Sequence, residues 1–73
     1  MTFSQMVEEI IASVESLLVE ASTGAEVSVL EQELLTYQYV TGLPNPFNGY
    51  ELLRVEQVGS EKYFIYRKHV LLE

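Results

Sequence analysis

Apolar side chains recur at helical spacing through the first part of the chain, at Phe3, Met6, Val7, Ile10, Ile11, Val14, Leu17, Leu18 and Ala21. Gln5, Glu8, Glu9, Ser13, Ser16 and Glu20 fill the other side, and the pattern predicts an amphipathic helix over about 3–22. Thr2 and Gln5 have the spacing of a capping box, and Gly24 stands where a left-handed residue would close the helix. The apolar steps of three and four also fit a coiled-coil seam, but a run this short suits a simple core-facing stripe as well.

A short link, Thr23 to Glu26, leads to a second set of signals. Ser28 and Glu31 again have capping-box spacing, and Val27, Leu30, Leu34, Tyr37 and Thr41 continue the helical step. A second helix over about 29–41 is expected, closed by Gly42 and antiparallel to the first. Pro44 and Pro46 forbid its continuation, and Leu43 and Phe47 are expected to plug the end of the core.

Beyond the prolines the pattern changes period. Tyr50 to Val58 and Lys62 to Leu71 are rich in branched and aromatic residues and flank Gly59-Ser60. Glycine first in a two-residue connection suits a type II′ turn, which pairs Val58 with Glu61. That register places Leu53, Val55, Phe64, Tyr66 and Val70 on the side facing the helices, with Glu51 opposite Lys68 at the far end. The other side carries Tyr50, Leu52, Arg54, Glu56, Tyr63, Ile65, Arg67 and His69. The expected fold is a single α+β domain over 1–73, two antiparallel amphipathic helices followed by an antiparallel β-hairpin in the order ααββ. Leu72-Glu73 has the form of a cloning scar and is assigned no function.

Composition adds constraints. The chain has 73 residues, 48% of them hydrophobic, enough for one core. A domain this short buries only about 60% of the surface its unfolded chain exposes. With no cysteine, neither disulfides nor thiolate metal sites are available to supplement that core. Self-association, most simply as a homodimer, is the expected substitute. The net charge of −7 is uneven: residues 1–50 hold seven glutamates and no lysine or arginine, while Arg54, Lys62, Arg67 and Lys68 all follow. An acidic helical surface repels phosphate backbones and anionic lipid, so nucleic acid and membrane are disfavoured as partners. No segment approaches the ~20 apolar residues of a membrane span, and the N-terminus lacks the basic region of a signal peptide, so a cytoplasmic location is expected.

Candidate chemistry is sparse. His69 has no carboxylate or nucleophile at a useful spacing, and Glu8-Glu9 and Glu31 with Glu33 diverge on helix surfaces. The glycines are scattered singly, outside any phosphate-cradling run. No catalytic, metal or cofactor site is expected. The informative feature is the hairpin side that one helical layer cannot cover. There Tyr50, Leu52, Arg54, Tyr63, Ile65 and Arg67 combine aromatic, arginine and aliphatic groups, as at interaction hot spots. Unless a third strand or the Leu43–Phe47 loop folds over it, this surface is expected to bind a protein partner or a second copy. In element order the chain resembles a winged-helix reader, which leaves an alternative as a nucleic-acid module using the four basic hairpin residues. Its second helix, with Glu31 and Glu33, is wrongly charged for a major groove.

Overall fold

The computed structural model describes residues 2–68; His69, Val70 and Leu72-Glu73 lie outside them. Helix α1 runs over Phe3–Ala21, strand β1 over Val27–Leu30, helix α2 over Glu31–Thr41, and strands β2 and β3 over Glu51–Val58 and Glu61–Arg67. The class is α+β, but the order is α β α β β and the sheet has three antiparallel strands in the order β1-β3-β2. The expected ααββ arrangement is corrected by β1. Val27 and Val29 point into the core while Ser28 points out, the alternation of a half-buried strand. They pair with Tyr66 and Phe64 of β3, so β3 becomes the central strand.

This strand also moves the start of α2. Leu30 is still extended when the helix begins and is its N-cap without a side-chain hydrogen bond. Ser28 therefore lies in the sheet and caps nothing. Thr2 does cap α1: its Oγ1 accepts from the Gln5 amide at 3.2 Å, and Gln5 Oε1 accepts from the Thr2 amide at 2.9 Å. Two matching sequence signals thus carry different weight. Thr2→Ala is expected to destabilise the fold by about 1 kcal/mol in urea denaturation, and Ser28→Ala by no more than about 0.5 kcal/mol. At the other end of α2, Gly42 adopts φ +67°, and its amide donates to the Gln38 carbonyl at 2.9 Å.

The core lies between the helices and the β1–β3 half of the sheet. Val14 and Ala21 of α1, Leu34 and Tyr37 of α2, Val27 and Val29 of β1, Tyr66 of β3 and Phe47 of the proline loop are buried together. Phe47, 1% exposed, stacks on Tyr66 with ring centroids 4.9 Å apart and meets Tyr50 edge-on at 5.6 Å. The loop is held in place by Asn45, whose Oδ1 accepts from the Phe47 amide at 2.9 Å and whose Nδ2 donates to the Tyr66 hydroxyl at 3.5 Å. Phe47 is thus the expected plug, whereas Leu43 is exposed.

The hairpin turns at Gly59-Ser60 with positive φ at Gly59 alone, as a type II′ turn requires. Val58↔Glu61, Glu56↔Tyr63, Val55↔Phe64 and Arg54↔Ile65 follow the expected register. A shift between Leu52 and Arg54 then leaves Leu53 as an extra, bulged residue. Below it Leu52 pairs with Tyr66 and Glu51 with Arg67. The expected pairs Leu53–Tyr66, Leu52–Arg67 and Glu51–Lys68 are corrected accordingly.

Candidate interaction surface

Residues opposite each other in a ladder share a face, so the register sorts the hairpin side chains. Leu52, Val55, Phe64 and Tyr66 lie on the helix side. Arg54, Glu56, Val58, Tyr63, Ile65 and Arg67 lie on the outer side with Ser28 and Leu30. The six residues singled out from the sequence are therefore divided. Tyr50 packs half-buried against Phe47, and Leu52 turns to the helix side because of the bulge. Arg54, Tyr63, Ile65 and Arg67 share the outer face.

Ile65 is not exposed there, at 3%. As the middle of a central strand it has Ser28 beside it on β1 and Arg54 on β2. The Arg54 guanidinium extends across β3 to Glu26, Nη2 to Oε2 3.7 Å, and its Nε donates to Glu56 Oε1 at 3.0 Å. These side chains roof Ile65 where no helix does. Tyr63 is half-buried and donates its hydroxyl to Glu61 Oε2 at 3.0 Å. That hydrogen bond, and the charge of the same carboxylate, hold the phenol above its ordinary pKa of 10.0. The neutral phenol is thus favoured in the fold.

Two further basic residues form separate ion pairs. Arg67 reaches Glu51 at 3.3 Å and Lys62 reaches Glu31 at 3.8 Å, all with substantially exposed side chains. Such pairs contribute little stability but leave Arg54, Lys62 and Arg67 partly neutralised.

The most open element is β2. Among the described residues nothing pairs with its outer edge, since β3 lies on its inner side. The helices cover β1 and β3, so β2 overhangs them. Val55, expected in the core, is 46% exposed for this reason, and Leu52 and Val58 are 48% and 60% exposed. The signal that could have revealed this is length: two helices cannot span a three-stranded sheet out to its far edge. β1, at the opposite edge, has only four residues. Other exposed apolar groups are Phe3, Met6 and Val19 of α1 and Leu35 and Tyr39 of α2. Phe3, Met6, Ile10 and Leu30 line an open groove of about 480 Å³ beside Glu33.

No charged or polar side chain is buried among the described residues, and their glutamates do not cluster as a metal site would. No described helix is long and apolar enough to cross a membrane. Searches of family models, of curated proteins and of solved structures found no match to this chain.

Proposed function

We propose that this chain is a non-catalytic protein–protein interaction or regulatory module that binds through its β-hairpin, at the outer edge of β2 and the side chains flanking it. One observation carries the proposal: from Leu52 to Val58 the outer edge of β2 has no strand beside it among the described residues, with Leu52, Val55 and Val58 half-exposed along it. A long edge strand with exposed apolar groups is a template for another extended chain, and proteins normally shorten, charge or cover such edges. β1 is short and so protected in this sense. β2 has only its bulge and alternating charges. The glutamates that occupy Arg54, Lys62 and Arg67 favour a protein over nucleic acid.

The test compares the tagged wild type with Leu52→Lys/Val55→Lys in affinity purification from the host, alongside circular dichroism. The expected result is a protein, either the untagged chain or another, retained by the wild type and lost by a variant of unchanged helicity. Equal retention by both would remove β2 as the docking edge.

A further inference from the structure

The order of side chains along β2 selects one partner for that edge. We infer that β2 pairs with the β2 of a second copy of this chain, antiparallel about a two-fold axis at Val55, joining two three-stranded sheets into one of six strands. The inference rests on β2 being the docking edge and adds both the partner and the register.

A two-fold axis perpendicular to the sheet brings outer face to outer face, so only residues on the same face can stand opposite each other. With the axis at Val55, Arg54 faces the second copy's Glu56, and Glu56 faces its Arg54. Within each copy Arg54 Nε already lies 3.0 Å from Glu56 Oε1 along the strand. The four groups then form a square of alternating sign, each beside two opposite charges. Moving the axis one residue sets Arg54 against Arg54, or Glu56 against Glu56. Like charges directly opposite are destabilising, so the neighbouring registers are disfavoured.

The other face agrees. On the helix side Val55 meets its own counterpart, and both are half-exposed in the single chain. The helices lie over β1 and β3 and leave that strip clear for a second copy. The bulge at Leu53 falls opposite the second copy's Gln57 and bounds the regular ladder at each end.

Sedimentation of the full chain should give twice the 8.3 kDa chain mass at high concentration. Arg54→Glu alone and Glu56→Arg alone should each raise the dimer Kd by about tenfold, because two attractive cross-strand pairs become repulsive. An equimolar mixture of the two variants should regain wild-type affinity, since each then meets the opposite sign across the axis. A contact confined within one chain cannot produce that recovery. A wild type that stays monomeric would overturn self-pairing and leave the docking edge itself to the Leu52→Lys/Val55→Lys comparison. A dimer indifferent to both variants and to their mixture would overturn the register and place the contact elsewhere.

Discussion

Phe47→Ala is expected to bring the domain close to global unfolding. The ring is buried between Tyr66, stacked at 4.9 Å, and Tyr50, edge-on at 5.6 Å. Removing a buried phenylalanine costs about 3–5 kcal/mol, the sum of lost transfer energy and an unfilled cavity. A chain of this length has a total stability of roughly 4–11 kcal/mol. The substitution therefore removes a large share of it and lowers Tm by at least about 12 °C. Urea denaturation followed by circular dichroism measures the loss. Leu43→Ala provides the control in the same loop, with an expected change within about 0.5 kcal/mol because Leu43 is exposed. Equal effects would mean that the loop does not seal the core.

The second large effect separates two hairpin residues. Ile65→Asp should destabilise by at least about 4 kcal/mol, since it places a carboxylate at a buried position in the central strand. Val55→Asp, one residue from Ile65's cross-strand partner Arg54, should stay within about 1 kcal/mol in dilute, unassociated protein, because Val55 is half-exposed on the edge strand of the single chain. Thermal unfolding of the two variants beside the wild type distinguishes them. A tolerated Ile65→Asp would show that the roof of Arg54 and Glu26 does not seal that position.

These contrasts mark what was legible in the sequence. Helix α1 was, because its long run of apolar positions has one period and its capping box is local. So were the II′ turn and the register down to Arg54, which a two-residue connection determines within the hairpin. Strand β1 was not. Val27-Ser28-Val29-Leu30 alternates with period two, but four residues also fit a helical step, and Ser28-x-x-Glu31 imitates a cap. The partner that decides between them, β3, lies far along the chain. Strand pairing then overrides a local helix-start signal. The same strand explains the error over Ile65: in a hairpin alone it would be open, but with Ser28 on one side and Arg54 on the other it is enclosed. The bulge at Leu53 has no glycine to announce it, and it moved Leu52 to the helix side and Glu51 opposite Arg67.

The exposure of the candidate interaction residues was only partly legible. Leu52 and Arg54 remain on the exposed strand, whereas Ile65 became structural and Val55, read as core, emerged at the edge. An edge is a property of sheet order, which no single strand encodes.

Backbone amide exchange along β2, recorded on dilute and on concentrated protein, tests the open edge most directly. Alternate amides of Arg54 to Val58 point away from β3 and should exchange fast when dilute, then slow markedly on association, while β3 stays protected throughout. Slow exchange of every β2 amide in the dilute sample would contradict a free edge. Concentration-dependent slowing confined to α1 would contradict its use.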